Sequence, residues 1–236
     1  VITLATGRMF AATRAFAEDL GITAPLICYQ GGGVQALGED EPQHRILLSK
    51  KITQHALALA QEQGWHTVLY ANGHVYLKEE RHDPSFYQRL LGPDITVGMP
   101  WMEVLATHVP DKVLFIADPE AIPEMARILK RRFAGGEDKA AEAEIVRSHE
   151  KFIEVVPLGA TKGAALAWLA SCLEIPQAEV MAVGDQENDL SMVEWAGVGV
   201  AMGNATPQVQ AAADWIAPPL SEDGAAMAIE RFILHD

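Results

Sequence analysis

The stretch from Val180 to Met192, VMAVGDQENDLSM, gathers side chains suited to holding a hard cation. Its apolar, β-branched start, Val180 to Val183, fits a buried parallel strand. Gly184-Asp185 breaks that run just before a helical pattern from Glu187 to Ala196. Asp185, Asn188 and Asp189 therefore sit where a strand stops, and in open α/β sheets ligands bind outside the carboxyl ends of the strands. Two carboxylates and an amide offer only oxygen ligands or short hydrogen-bonding arms. Such a set suits Mg²⁺, which takes one or two carboxylates and completes its shell with water and phosphate oxygens. A plainer reading makes Asp185 a turn residue and Asn188 and Asp189 first-turn residues, where acids favour the helix dipole.

Two distant points have complementary chemistry. Thr6-Gly7-Arg8 follows the apolar segment Val1 to Ala5 and precedes a helix, so the Thr6 hydroxyl and the amides of Gly7 and Arg8 could grip phosphoryl oxygens at the helix start. Lys162, opening a helix after Gly159-Ala160-Thr161, could supply a point charge to the same group. Metal, ammonium and hydroxyl together neutralise the oxygens of a transferring phosphoryl, which is most of what that chemistry requires. Taken singly, Thr6 also reads as a helix cap and Lys162 as a solvated first-turn residue.

The elements that must position these groups fall into an interrupted α/β rhythm. Val1 to Ala5 reads as a short buried strand, Met9 to Leu20 as a helix ended by Gly21, and Pro25 to Tyr29 as a second strand, giving a βαβ unit. Gln30-Gly31-Gly32-Gly33 forms a turn into a hairpin strand, Val34 to Leu37. Between about Ser49 and Val156 the pattern changes to hairpins mixed with helices. Strands at Thr67 to Ala71 and Val75 to Leu77 are joined by Asn72-Gly73, a strong hairpin signal. Helices at Ile52 to Gln63, Pro84 to Leu91, Met102 to Thr107 and Glu120 to Phe133 are expected there, with strands at Lys112 to Ala117, Glu144 to Ser148 and Phe152 to Val156. Strict alternation resumes after Ala160. The expected architecture is α/β: a Rossmann-like, doubly wound parallel-sheet core formed by residues 1–48 and 157–236, with an α+β cap inserted as residues 49–156.

Composition narrows the partners. With 18 basic against 32 acidic residues the net charge is −14, which disfavours nucleic acid, since affinity for its backbone depends on clustered Lys and Arg. A small anionic substrate remains compatible if cations are placed locally. No apolar run approaches the roughly 20 residues that span a bilayer, so no membrane partner is expected. The two cysteines, Cys28 and Cys172, form no disulfide framework, and a cytoplasmic location is the default expectation. The eight histidines show no zinc-ligand spacing and read as surface or cap residues. Nothing in the sequence indicates an oligomeric state.

Several strings in order, TGR after a strand, TKGAAL opening a helix, GDQENDLSM, AGVGVAMGNATPQVQAAADW and a late EDG, resemble the successive signatures of the haloacid dehalogenase superfamily, in its Cof-type phosphatase branch. That resemblance implies Mg²⁺-dependent hydrolysis of a small phosphorylated metabolite through an aspartyl-phosphate. Mapped onto the matching motifs, it implies that Thr6 and Gly7, with Arg8 beside them, bind phosphate and that Lys162 holds the phosphoryl oxygens and the nucleophile. Asp185 would ligate Mg²⁺, Asn188 would contact phosphate, and Asp189 would support the metal shell.

The chain departs from the family at two places. The first motif, DxDGT, which carries the attacking aspartate and the acid/base aspartate, has no counterpart here. It is expected upstream of residue 1, on a segment of about 30 residues, enough for a strand, a turn and a helix. The 236 residues by themselves are then expected to be inactive. A catalytically silent phospholigand-binding protein is the alternative. The second departure is Gln30-Gly31-Gly32, where the family usually has Asn-Gly-Ala.

Overall fold

The computed structural model describes residues 1–92, 94–135 and 141–234. The chain divides into two compact units, Val1–Ala160 and Thr161–Asp236. Its fold is mixed α/β, as the alternation of elements implies.

In the first unit the opening segment runs parallel to the strand β1 (Leu26–Cys28): the Thr6 amide donates to Ile27 O, and the Ile27 amide to Leu4 O. The strand expected over Val1 to Ala5 contracts to one parallel bridge, Ala5 to Ile27, because Val1 and Ile2 are 90% and 63% exposed and have no burial to hold them extended. Helix α1 (Phe10–Asp19) connects the bridge to β1, completing the expected βα connection. Antiparallel strands β2 (Gly33–Gln35) and β3 (His44–Arg45) extend the sheet.

The rest of this unit is a six-stranded sheet with helices. Helix α2 (Lys50–Gln63) starts at Ser49, whose side chain accepts from the Ile52 amide, and ends at Gly64 in the left-handed region, φ 68°. Strands β4 (His66–Ala71) and β5 (His74–Leu77) form the expected hairpin, with Asn72 and Gly73 both at positive φ as a type I′ turn demands. Then follow α3 (Pro84–Leu91), β6 (Ile95–Val97), α4 (Trp101–Thr107), β7 (Pro110–Ile116), α5 (Ile122–Phe133), β8 (Ala143–His149) and β9 (Phe152–Pro157). Sheet order is β6-β5-β4-β7-β9-β8, antiparallel except between β5 and β6. Strand β6 was not expected. Its signal is the β-branched run Ile95-Thr96-Val97, whose pairing with β5 supplies what three residues cannot specify alone.

Period-two alternation gives this sheet two apolar faces. Leu69, Tyr76, Val113, Phe115, Ile153 and Val155 pack with side chains of α2 and α5, such as Ala56, Ile122 and Leu129. Val68, Tyr70, Val75, Leu77, Leu114 and Phe152 pack with Tyr87, Leu91 and Met9, the last from just before α1. Hence Tyr70 and Tyr76 point to opposite faces and both are buried.

The second unit holds α6 (Lys162–Cys172), β10 (Met181–Gly184), α7 (Leu190–Trp195), β11 (Val198–Ala201), α8 (Pro207–Ala212), β12 (Trp215–Ile216) and α9 (Gly224–Ile229). Its strands are parallel in the order β10-β11-β12, with a helix between each pair, as strict α/β alternation implies. Val193, Val200, Met202 and Val209 form its core. Among the described residues no helix is long and apolar enough to cross a membrane.

One histidine corrects the expectation of surface or cap positions. His66 starts β4 at 6% exposure, in the ring cluster of His82 and Tyr87. The Tyr87 hydroxyl accepts from the amides of Arg81 (2.6 Å) and His82 (3.0 Å) and stands 2.9 Å from His66 Nε2. With both lone pairs occupied, the hydroxyl donates its proton to Nε2, so His66 is neutral with its proton on Nδ1. Burial and the nearby Arg81 charge push its pKa from 6.5 down to about 4. The unfolded chain therefore binds one more proton than the fold between those values, so His66 contributes stability above pH 6.5 that is lost as the pH falls toward 4. His66→Gln, which keeps an acceptor for Tyr87, should weaken the fall in urea midpoint between pH 7 and pH 4.5; an unchanged pH slope would count against this assignment.

Candidate active site

The acids after β10 are held by a short-range hydrogen-bond cage. Asp189 is 4% exposed, and its Oδ2 accepts from the amides of Asp185 (2.9 Å) and Gln186 (3.0 Å). Reciprocally, Gln186 and Asp189 cap the single turn Glu187–Asp189 that leads into α7. The other oxygen, Oδ1, lies 2.5 Å from Lys162 Nζ, and both side chains are nearly buried. Among the described residues Asp189 is the one hydrogen-bond partner of that ammonium, leaving further protons to donate.

Three glycines let these parts meet. A Cβ on Gly184 would lie 2.4 Å from Asp189 Cβ, one on Gly163 would lie 2.2 Å from Ser191 O, and one on Gly199 would lie 2.3 Å from Val193 O. The first lets Asp189 fold back over the end of β10. The others bring α6 and β11 against α7, and the Gly163 amide donates to Ser191 Oγ at 3.0 Å. Thr161 caps α6 by accepting from the Ala164 amide, which sets Lys162 at the first turn. The plainer readings of Lys162 as solvated and of Asp189 as only a helix acid do not describe this pair.

Asp185 is oriented differently. It is half-buried, its Oδ2 takes a 3.3 Å contact from Gln186 Nε2, and Oδ1 has no protein partner among the described residues. Asp189 spends its oxygens on protein donors, whereas one Asp185 oxygen is without a protein partner among the described residues. An oxygen-only position of this kind fits Mg²⁺. No group of three or more acidic, histidine or cysteine side chains gathers among the described residues, so the remaining ligands would be other oxygens. Asn188, in the same turn, has its Oδ1 buried.

Thr6, Gly7 and Arg8 belong to the first unit. The Thr6 and Arg8 carbonyls accept from the amides of Gln30 (3.1 Å) and Tyr29 (3.0 Å), bracing this loop against the turn after β1. The Arg8 amide donates to Thr6 Oγ at 3.1 Å, so it is committed within the loop and not to a phosphate. That bond occupies a lone pair of the hydroxyl and leaves its proton to donate outward. The Arg8 guanidinium bonds Arg89 O and lies over the Phe16 ring. A Cβ on Gly7 would stand 2.1 Å from Gln30 Nε2, so glycine is required for this approach.

Sequence reasoning missed two charged residues in the same unit. Lys112 and Glu154 form an ion pair of 2.5 Å with side chains 2% and 1% exposed, and Lys112 Nζ also donates to Gly7 O at 2.8 Å. Their signal was visible: a lysine opening the apolar string KVLFIA and a glutamate inside FIEVVP. Strand pairing was needed to see that they meet.

Comparison with known proteins places this arrangement. The chain is 33% identical over 162 residues to a putative phosphatase of Haemophilus influenzae, covering 69% of this chain and 58% of that protein, so it spans little more than half that relative's length. It is 27% identical over 238 residues to an HMP-PP phosphatase of Cronobacter sakazakii, covering 99% of this chain and 82% of the relative. Among solved structures, a haloacid dehalogenase-like hydrolase from Bacteroides thetaiotaomicron superimposes with a TM-score of 0.79 at 28% identity, covering 97% of this chain and 85% of that one. The family model for haloacid dehalogenase-like hydrolases matches residues 1–229. This chain therefore belongs to the haloacid dehalogenase-like hydrolase family.

Proposed function

We propose that this chain serves in a Mg²⁺-dependent phosphatase that hydrolyses a small phosphorylated metabolite, with residues 1–48 and 157–236 as its core and residues 49–156 as the inserted cap. The observation that carries this reading is the buried Lys162–Asp189 pair, whose carboxylate also accepts from the Asp185 amide and so fixes an ammonium beside an open carboxylate at a strand end. The relatives named phosphatases support it, and the Cronobacter protein points to phosphate esters of metabolite size.

Each side chain then has a separable task. Lys162, oriented by Asp189, donates its remaining protons to phosphoryl oxygens and offsets their charge. The Thr6 hydroxyl donates to a phosphoryl oxygen, with the Gly7 amide beside it. Asp185, with Asp189 supporting it from behind, would hold Mg²⁺, which when bound supplies further positive charge to the phosphoryl oxygens. Asn188 contacts phosphate from the same turn as Asp185. Activity is tested on the full-length gene product.

Full-length protein should release phosphate from some member of a panel of sugar, nucleotide and coenzyme phosphates with Mg²⁺ and should stop when a chelator is added. Turnover indifferent to chelator would remove the metal assignment, and binding of esters without turnover on any of them would favour the silent ligand-binding alternative. Asp185→Asn should lower turnover by about 10²–10³-fold while leaving the melting temperature nearly unchanged. Asp189→Ala should lower both. It strands the buried Lys162 charge and two amides, at a cost of about 3–5 kcal/mol in unfolding free energy measured in urea. If Asp185→Asn keeps full turnover, Asp185 is only a turn residue; if the Asp189 variant is as stable as the parent, the pair is not buried in solution.

A further inference from the structure

The assignments above leave Lys112 and Glu154 unused, although no other ion pair among the described residues is as deeply buried. Lys112, on β7, pairs in register with Tyr70 on β4 and lies 4.5 Å above its ring. Its ammonium also meets Glu154 Oε2 on the neighbouring β9 and the Gly7 carbonyl. Three protons thus face three electron-rich partners. Glu154 is equally occupied: Oε1 accepts from Gln30 Nε2 at 2.8 Å and from Ser148 Oγ. Gln30 is held at φ 62°, ψ 21°, a left-handed conformation that is costly for a residue other than glycine and persists only where its surroundings impose it.

These bonds end on the phosphate loop. The Gly7 carbonyl that accepts from Lys112 belongs to the same peptide group as the Arg8 amide that donates to Thr6 Oγ. A cation on the carbonyl end draws electron density from the amide and strengthens it as a donor, because linked hydrogen bonds polarise one another. It also fixes the plane of that peptide. The path runs from Glu154 to Lys112, through the Gly7–Arg8 peptide, to the Thr6 hydroxyl, whose remaining proton points away from the amide.

We propose that Lys112, held by Glu154, is a positioning residue for phosphate binding that acts through the Gly7–Arg8 peptide to present the Thr6 hydroxyl as a donor to a phosphoryl oxygen. The inference rests on the phosphatase reading, which assigns Thr6 to phosphate. A pair that served stability alone would have no reason to bond the one peptide that orients Thr6. The same sheet could have been closed with apolar side chains, since buried ion pairs are often replaceable at no loss of stability.

A double-mutant cycle on the full-length protein tests this. Lys112→Met with Glu154→Gln removes both charges at similar volume and leaves no unpaired ion. It is combined with Thr6→Val, with inorganic phosphate as the probe of affinity and a turned-over ester for KM and kcat. The charge-free variant should weaken phosphate binding about tenfold and raise KM more than it lowers kcat, the size expected when one charge-assisted contact is lost indirectly. In the Thr6→Val background the same change should cost little more. Additive losses, or unaltered phosphate affinity, would overturn the proposal. Should the charge-free variant not fold, Glu154→Gln alone, which keeps an acceptor for Lys112, is read in the same cycle, with a smaller loss of phosphate affinity again coupled to Thr6; additivity there overturns it as well. A parent protein that neither binds nor releases phosphate defeats the functional reading itself, whereas an active parent with an additive cycle defeats this inference only.

Discussion

The carboxylate of Asp189 is the constraint on which the second unit depends. It accepts from the amides of Asp185 and Gln186 and from the ammonium of Lys162, so one side chain closes the turn after β10 and tethers the first residue of α6. Removing two ions from water costs several kcal/mol each, and the cost is offset only where every remaining lone pair is satisfied. The two backbone donors meet that condition for Asp189. Glycines at 163, 184 and 199 then follow as necessities, since a Cβ at any of them would enter backbone or side-chain atoms of the turn and its helix.

The first unit solves a similar problem with different parts. Its six-stranded sheet is apolar on both faces, yet one face admits Lys112 and Glu154 among Tyr70, Leu114 and Phe152. Side chains from β7, β8 and β9, the turn after β1 and the Gly7 carbonyl together satisfy the pair. A second ion pair, Arg45 with the buried Asp111 at 2.7 Å, joins β3 to β7 within the same unit. Polar groups in this sheet therefore mark the places where segments far apart in the chain are joined, because an apolar contact there would leave register and rotation less specified.

Charge placement makes the acidic composition compatible with the anionic ligand proposed above. At −14 the chain as a whole repels phosphate, but interactions between exposed charges farther apart than about 10 Å are screened by salt. What a ligand meets is local. Lys162 is fixed near the end of a strand by a carboxylate that also takes up two amides, so it offers an ammonium with directed protons and little conformational freedom to lose.

Much of this was legible in the residues alone. The alternation of strand and helix from Lys162 onward, the Asn72-Gly73 turn and the capped helix after Ser49 follow from hydrophobic period and turn chemistry, which act over a few neighbours and are written locally. The chemical type of the candidate site was legible for the same reason: Asp185, Asn188 and Asp189 lie within one turn after an apolar run. Tertiary structure decided the rest. It separated the tasks of the two acids, closing Asp189 on Lys162 and two amides while leaving an Asp185 oxygen open; it buried His66 as the acceptor of a tyrosine proton; and it joined Lys112 to Glu154 and to Gly7, 105 residues away along the chain. A carboxylate has the same sequence signature whether it binds a cation, caps a turn or pairs with a lysine. The choice depends on which donors the fold brings within about 3 Å of each oxygen, and such distances are set by packing between segments remote in sequence.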